Sequence, residues 1–373
     1  MNGDEEERGM RYAVVMAGGA GTRLWPMSRE SQPKQLIPFI GGKSLVQIAA
    51  QRLEGLVPAA QRYICASNKQ EALMRKALPE LGPNQFHGEP CGRDTLNAVG
   101  FSAAILAKTD PDAVIAVFTA DHIIEPIPEF LKIVDQGYRI AEQNPDTLVT
   151  FGIAPTQATT AYGYLELGRA LGGGAHIVDQ FKEKPAQAVA ETYFKAGPTR
   201  YLWNSGMFVW RAQTLLDCIR RYQPENFALL EKIAAAWGTP RQAEVLNALY
   251  PTLKKISVDF AIMEPASRDS AVKVAAVPMP LRWLDVGSWP SFATTCPQDA
   301  NQNATGEGKS LLLRSENMLV ASSDPKHLVV TVGCKNMIVI HTPEATLICP
   351  ADQAESIKEV QKLVTEKFGT NYV

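Results

Sequence analysis

The sequence predicts an α/β protein: a mostly parallel mixed sheet covered by helices, followed by a small β unit and a terminal helix. Three observations carry this. Apolar strand-like runs alternate with helical stretches over residues 11–153, the pattern of a sheet buried on both faces. Gly18, Gly19 and Gly21 follow the first run directly, as in a strand that ends in a ligand-facing turn. After Trp289 the texture changes to short β runs separated by turn residues.

The elements follow in order. Residues 1–10 carry the acidic run Asp4–Glu7 and predict a disordered tail. RYAVVMA (11–17) is a buried strand. The Pro-punctuated stretch Arg23–Pro38 is too broken for a regular helix and predicts a loop over a site. Gly41-Gly42 reads as a β-turn. Ser44 caps a helix with Leu45, Ile48, Leu53 and Leu56 on one side. Tyr63–Ala66 is a strand, Gln70–Leu78 a helix, and the residues up to Arg93 a loop. Asn97–Lys108 is helical, Ala113–Ala120 a strand ending at Asp121-His122, Pro128–Gln143 a helix and Thr147–Ile153 a strand. Tyr162–Leu167 and Ala175–Phe181 pair around the Gly172–Gly174 turn. Residues 207–210 and Val272–Val277 are further strands, and 212–249 is mostly helical with a break at Gly238–Pro240. Asn301–Gly308 is linker-like. Five short strands follow (Leu311–Arg314, Met318–Ala321, Leu328–Val332, Met337–Ile340, Thr346–Ile348), which could be turns of a coil. Ile357, Val360, Val364 and Phe368 form one stripe of a docking helix.

Composition excludes several classes. With 46% apolar and 20% charged residues among 373, the chain is globular rather than disordered. Lys plus Arg is 37 against 39 Asp plus Glu, so neither bulk nucleic-acid binding nor a polybasic membrane surface is expected. The acidic start is unlike a signal peptide, and no apolar run approaches the ~18 residues of a membrane helix. The six cysteines lack a C-x-x-C pair, so free thiols in a reducing cytoplasm are expected rather than a disulfide scaffold or zinc knuckle.

Gly18-Gly19-Ala20-Gly21-Thr22-Arg23 is the sharpest local signal. Its glycines let backbone N–H groups approach an anion, and Arg23 adds a planar cation suited to phosphate oxygens. A dinucleotide fingerprint fails at Leu24, and a P-loop ending in Gly42-Lys43-Ser44 fails at Ile37. Asp121 at the end of an apolar strand, and Asp285 between Trp283 and Trp289, need a crevice or a cation partner. Either could otherwise be a capping or structural aspartate. His122 lacks zinc-ligand partners at the usual spacing and is read as a supporting, hydrogen-bonded residue.

The run Gly18–Pro26, with Ser28-Arg29 and Pro33-Lys34-Gln35-Leu36, resembles the mannose-1-phosphate guanylyltransferases, a branch of the sugar-nucleotide pyrophosphorylases. Further matches are Asp121-His122, Tyr162-Gly163-Tyr164, Phe181–Pro185, Trp203–Phe208 and Asp285–Trp289. The resemblance covers 11 to about 292 and implies a Rossmann-like nucleotide-diphospho-sugar transferase fold. Residues 11–295 would be the catalytic domain and 300–373 a small β domain ending in a helix, with no room for the isomerase domain of longer relatives. Two places depart from the usual pattern. Asp94 and Leu96-Asn97 stand where Asn and Ala-Pro are common, and Ala161 stands where Gly usually precedes Tyr-Gly-Tyr.

The resemblance implies transfer of GMP from GTP to α-D-mannose 1-phosphate, giving GDP-mannose and diphosphate. Gly18, Gly19, Gly21 and Thr22 would cradle the triphosphate, with Arg23 and Lys34 as cations on it. Asp121 and Asp285 would hold Mg²⁺, whose hard character suits carboxylates. Glu89 and Arg93 would lie on the guanine and ribose side. Lys184 would grip the sugar phosphate, and Gly163, Glu183 and Asn204 would meet the hexose. A cytoplasmic enzyme that pairs as a homodimer through edge strands of the β unit is expected. The alternatives are a sugar-1-phosphate nucleotidyltransferase for another base or hexose and, of another class, a non-catalytic nucleotide-sugar sensor.

Overall fold

The computed structural model describes residues 10–19 and 21–373. Apart from Met10, the expected tail 1–10 lies outside the described residues, as does Ala20. Strand β1 (Arg11–Met16) lies inside the main sheet, and its side chains alternate between two cores. Tyr12 and Val14 enter one, Ala13 and Val15 the other. That two-residue period with both faces buried is why the strand is continuously apolar.

A hairpin follows: β2 (Pro38–Ile40) and β3 (Lys43–Ser44), turned at Gly41 and Gly42, both at positive φ. Helix α1 (Leu45–Gln51) starts at a Ser44–Gln47 capping box. It is shorter than the apolar pattern predicts. Leu53 and Leu56 lie beyond it, and Leu45, Val46 and Ala49 form its buried side. Next come β4 (Arg62–Ser67), α2 (Glu71–Ala77) and β5 (Phe86–Glu89). The strand β5 replaces an expected loop; its FHGE sequence has one strongly apolar residue, so only its place at the sheet edge reveals it. Helix α3 (Thr95–Thr109) is buried along most of its length, and a Cβ at Gly100 would come within 2.9 Å of Ile219 and Leu230. Strand β6 (Val114–Thr119) repeats the alternation of β1, and β7 (His122–Glu125) was not expected from sequence.

Helix α4 (Ile127–Gln143) buries Phe130, Val134, Tyr138 and Ala141 along one face. It leads to β8 (Thr147–Ile153), β9 (Tyr164–Gly172), β10 (Ala175–Lys182), α5 (Gln187–Ala196) and β11 (Tyr201–Arg211). Helices α6 (Ala212–Tyr222), α7 (Pro224–Ala236), α8 (Gln242–Leu249) and α9 (Glu264–Ala266) precede β12 (Lys273–Pro278) and β13 (Arg282–Asp285). The nine-stranded sheet runs β5-β4-β1-β6-β11-β8-β12-β10-β9. Strands β5, β4, β1 and β6 are parallel, as are β8 and β12, while β11, β10 and β9 pair antiparallel. Parallel order aligns the carboxyl ends of β1, β4, β5 and β6, where such sheets hold ligands.

After α10 (Trp289–Ala293) the chain forms a coil. Strands β14 (Ala304–Thr305), β16 (Leu319–Ser322) and β18 (Met337–His341) stack in parallel; β15 (Lys309–Leu313) and β17 (Leu328–Val332) form a second parallel pair; β19 (Thr346–Pro350) closes antiparallel on β18. Part of the expected linker, Ala304–Thr305, is thus the coil's first rung. Leu311, Leu313, Leu328, Val330 and Val332 are exposed.

Helix α11 (Ile357–Phe368) docks through Ile357, Val360 and Val364, but Phe368 is exposed, which corrects the predicted stripe at its end. The C-terminal unit has a small cluster of its own at Met318, Val320 and Val339, but its larger core is shared. One cluster joins Leu24, Trp25, Met27, Val286 and Trp289 to Ala321, Ile338, Ile340 and Ile357. The glycine-loop region and the coil are therefore packed as one body. All six cysteines are free, and among the described residues no helix is long and apolar enough to cross a membrane.

Ile357 is the one fully buried side chain of α11. Ile357→Ala is expected to lower unfolding free energy by about 2–5 kcal/mol, read by urea denaturation followed through tryptophan fluorescence.

Candidate functional site

The loop after β1 is a tight turn whose shape its neighbours fix. Gly19 and Gly21 take φ of +106° and +60°, and a short 3-10 turn, Thr22–Leu24, follows. A Cβ at Gly21 would meet Ser28 Oγ at 2.5 Å and Lys34 Cβ at 2.8 Å, so only glycine fits. A second 3-10 turn, Lys34–Leu36, is tied back when buried Gln35 donates through Nε2 to the Gly18 carbonyl at 2.6 Å. The C-terminal unit grips the same loop. Trp25 Nε1 donates to the Tyr372 carbonyl at 2.6 Å, Arg29 pairs with Glu344 at 2.8 Å, and Arg23 pairs with Glu355 at 3.3 Å. Trp289 Nε1 donates to the Trp25 carbonyl at 3.0 Å.

Asp121 leaves the carboxyl end of β6. The antiparallel ribbon β7–β13 sets Asp285 opposite His122, and Val286 N donates to the Asp121 carbonyl at 2.9 Å. Two aspartates far apart in sequence thus converge: ligand atoms of Asp121, His122 and Asp285 lie within 4.8 Å of one another. Lys34 Nζ is ion-paired with Asp121 Oδ2. Burial opposes ionisation of Asp121, but Lys34 outweighs it and holds the carboxyl below its ordinary value. Asp285 goes the other way, pushed up to about 6 by burial and then by Asp121, against the pull of Lys34 and Arg23. A Cβ at Gly287 would lie 3.1 Å from Arg23 Nη2 and 3.3 Å from Asp285 Oδ1, so the absent side chain leaves room for the guanidinium beside the carboxylate. His122 Nδ1 accepts from Trp283 Nε1 at 3.2 Å, which leaves the proton on Nε2. Burial, above all, pushes His122 down to about 4 and keeps it neutral. Its Nε2 lies 4.0 Å from Asp121 Oδ1, an electrostatic neighbour rather than a hydrogen-bond partner.

Across an aromatic wall lies a second polar group of residues. Tyr162 packs on Trp283 at 5.3 Å and Trp203 at 5.2 Å between ring centres. It also senses Asp285, Arg23 and Asp121 electrostatically. Gly163 follows Tyr162, and a Cβ there would meet Glu183 Oε2 at 2.5 Å. Gly163 O accepts from Asn204 N at 2.8 Å. Glu183 is buried and pairs with Lys184 Nζ at 2.6 Å. Burial would lower Lys184, but Glu183, Asp259 and Asp94 together raise it. Lys184 is held at φ +40° and Asp94 at +67°, conformations that L-residues rarely adopt.

The structure therefore brings together Arg23, Lys34, Asp121 and Asp285 around the glycine loop, and Gly163, Glu183, Lys184 and Asn204 beyond the wall. Glu89 ends β5; a Cβ on Gly18 would lie 3.6 Å from its Oε2, and its Oε1 accepts from Tyr250 at 2.5 Å. Burial raises its carboxyl, against the Tyr250 bond. Arg93 differs from the expectation. Its guanidinium donates to the Pro251 carbonyl, and no bond joins it to the other candidates. The 93–97 segment is pinned to 251–258 through Asn97, which donates to the carbonyls of Arg93 and Lys254. Asn97 is thus a buried structural residue, Asp94 caps α3, and Ala161 points to solvent.

Sequence reasoning passed over two residues. Arg52, 2% exposed, donates to the carbonyls of His122 and Thr119 and lies over the Phe130 ring, fixing the backbone around Asp121. Asp259 accepts from Asn204 Nδ2 at 2.9 Å. A polar residue inside the apolar stretch 256–263 was its only signal. A separate surface cavity of about 890 Å³ lies at the opposite strand ends, lined by Asp112, Asp146, Arg211, Asp217 and Arg221; its cations are paired with acids and it touches none of these residues.

Comparison with known proteins agrees with this fold. The family model described as nucleotidyl transferase matches residues 12–302, and that described as MannoseP isomerase/GMP-like beta-helix domain matches 308–363. The xanthan biosynthesis protein XanB of Xanthomonas campestris is 36% identical over 93% of this chain and 72% of its own length. The mannose-1-phosphate guanylyltransferase of Escherichia coli is 33% identical over 97% of this chain and 76% of its own. A solved structure from Thermus thermophilus, named mannose-1-phosphate geranyltransferase, superposes with a TM-score of 0.83 at 32% identity, covering 95% of this chain and 99% of that one.

Asp285 offers a test of the site's electrostatics. Its folded value of about 6 lies above its ordinary value. Its contribution to stability is therefore full below about pH 4 and lost as pH rises through 6. Carboxyl-carbon NMR is expected to show this midpoint. Asp121→Asn, which removes the like charge, is expected to move it down, and Lys34→Ala to move it up.

Proposed function

The chain belongs to the nucleotidyl transferase family, alongside its mannose-1-phosphate guanylyltransferase relatives, and from that premise we propose that it joins GTP and α-D-mannose 1-phosphate into GDP-mannose and diphosphate. Sugar-1-phosphate nucleotidyl transfer is the chemistry of its class. The observation that carries the reading is the placing of two groups of residues with cationic side chains across one aromatic wall. Arg23 and Lys34 stand beside Asp121 and Asp285 on one side, and Lys184 stands with Glu183 and Asn204 on the other.

The reaction joins two anions, so its barrier is repulsion and alignment. Backbone N–H groups of the 18–22 loop would hold the triphosphate, with Arg23 and Lys34 on its outer oxygens, where charge gathers as diphosphate leaves. Lys184 would hold the sugar phosphate so that one of its oxygens faces the α-phosphorus in line with the leaving group. That oxygen needs no general base, because a phosphate monoester loses its second proton near pH 6. No side chain in the site is arranged as an activated nucleophile, so direct displacement is the route. Converging carboxylates fit a hard divalent cation: Asp121 and Asp285 would hold Mg²⁺, which when bound neutralises phosphate charge.

Glu89 would read the base. Guanine presents N–H donors on the edge where adenine presents an acceptor, and a carboxylate accepts only from donors. Asn97 and Asp94, which depart from the common pattern, have structural partners here. That favours the guanylyl reading over a changed base.

Diphosphate release by the purified chain tests this, with GTP, ATP, UTP and CTP crossed against mannose and glucose 1-phosphates. GTP with mannose 1-phosphate is expected to lead by tenfold or more in kcat/KM, about 1.4 kcal/mol. A different leading pair overturns the substrate assignment, and no release from any pair overturns catalysis. Chelation is expected to abolish turnover and Mg²⁺ to restore it. Lys34→Ala and Asp121→Asn are each expected to lower kcat by about 100-fold or more. Lys184→Ala is expected to raise KM for the sugar phosphate about tenfold, with KM for GTP within twofold.

A further inference from the structure

The hexose side of the crevice contains a hydrogen-bond chain that the reaction scheme does not use. Asn204 is 7% exposed, and its amide lies between two partners. Thr150 Oγ1 is 2.7 Å from Oδ1, and Asp259 Oδ1 is 2.9 Å from Nδ2. Thr150 Oγ1 also lies 3.0 Å from the Met207 carbonyl. A threonine hydroxyl has one proton to give, and an amide has a donor side and an acceptor side. Two arrangements therefore fit the same heavy atoms. With Asp259 ionised, Asn204 donates to it, and Thr150 donates to Asn204 Oδ1. With Asp259 protonated, the amide turns over. Asp259 then donates to Oδ1, Nδ2 donates to Thr150, and Thr150 gives its proton to Met207. Each arrangement leaves one N–H and one lone pair of Asn204 for a ligand, but in opposite order.

We propose that Asp259 is a positioning residue of the hexose site: with Thr150 it fixes which way the Asn204 amide faces, and so which of two neighbouring sugar hydroxyls meets a donor and which an acceptor. This rests on the sugar-phosphate assignment made above. The ionised arrangement is the binding one, because it anchors the amide with a charge-assisted bond. The groups facing Asp259 agree with such a role. Glu183 and Lys184 face it from the end of β10, Asn204 from β11, and Asp94 reaches Lys184 from the start of α3. Glu264 on α9 is engaged by Lys182, Arg268 and the Glu183 backbone. Burial, then Glu183, pushes the Asp259 carboxyl up to about 7, while Lys184 pulls it down. Raising pH through neutrality therefore moves the amide toward the binding arrangement.

The test is steady-state kinetics of the full chain with mannose 1-phosphate and GTP at pH 6–8.5. Sugar-phosphate KM is expected to fall threefold or more through pH 7 in the wild type, beyond the substrate's own ionisation near pH 6, with KM for GTP flat. Asp259→Asn is expected to raise sugar-phosphate KM at pH 8 at least fivefold. It is also expected to remove the step near pH 7 while keeping the one near pH 6. Thr150→Val is expected to raise the same KM, and Thr150→Ser to restore it. These two variants carry the test should Asp259→Asn fail to fold. The proposal is overturned if the wild type turns over while Asp259→Asn and Thr150→Val leave sugar-phosphate KM and its pH profile within twofold. It is also overturned if both lower only kcat. A wild type inactive on every sugar phosphate removes the premise instead, a different result from either.

Discussion

Two carboxylates, Asp121 at the end of buried β6 and Asp285 at the end of β13, converge, and their mutual repulsion must be offset. Nearly every feature around the glycine loop answers that constraint. Lys34 pairs with one carboxylate and Arg23 stands near the other. Each cation is delivered by a tight turn, one beside Gly21 and one where Gly287 has no side chain to obstruct it. Buried Arg52 holds the carbonyls on either side of Asp121, and Trp283 keeps His122 in a single neutral tautomer. The result is two acids with unequal proton affinity, one depressed by its cation and one raised by burial and its neighbour.

The C-terminal coil belongs to this arrangement. Its apolar residues enter the same cluster as Leu24, Trp25 and Trp289. Its polar atoms reach the glycine-loop region through Tyr372, Glu344 and Glu355. The loop has little regular structure of its own, so its order depends on what packs behind it. The ion pair between Arg23 and Glu355 is largely exposed, so it holds the guanidinium only weakly. The Trp25 anchor is different in kind, because an indole N–H held on a carbonyl fixes backbone position rather than charge.

The side beyond the aromatic wall is organised by hydrogen-bond valence more than by charge. Asn204 is held at both ends of its amide, and Gly163 leaves room for Glu183 because any Cβ would collide with it. Two residues there, Asp94 and Lys184, occupy backbone conformations that side chains disfavour. Strain of about 1–3 kcal/mol at each is the magnitude usually found where a fold holds a functional group in place.

Much of this was legible in the linear sequence. Continuous apolar strands revealed a sheet buried on both faces, because a two-sided strand cannot alternate polar residues. The glycine cluster revealed a tight turn, because only glycine leaves room beside Ser28 and Lys34. The motif residues Lys34, Asp121, Asp285, Glu183, Lys184 and Asn204 were identified before any contact was known. The tertiary structure decided what depends on partners remote in sequence. Strand β5 exists because β4 offers it an edge; Asp285 reaches Asp121 because β7 and β13 pair. Arg93 is occupied by Pro251, and Asp259 meets Asn204, for reasons no local pattern encodes. Side-chain type and backbone freedom are local properties, so the sequence reports them directly. Proton affinity, hydrogen-bond direction and the sharing of one core by two units arise from neighbours that only folding supplies.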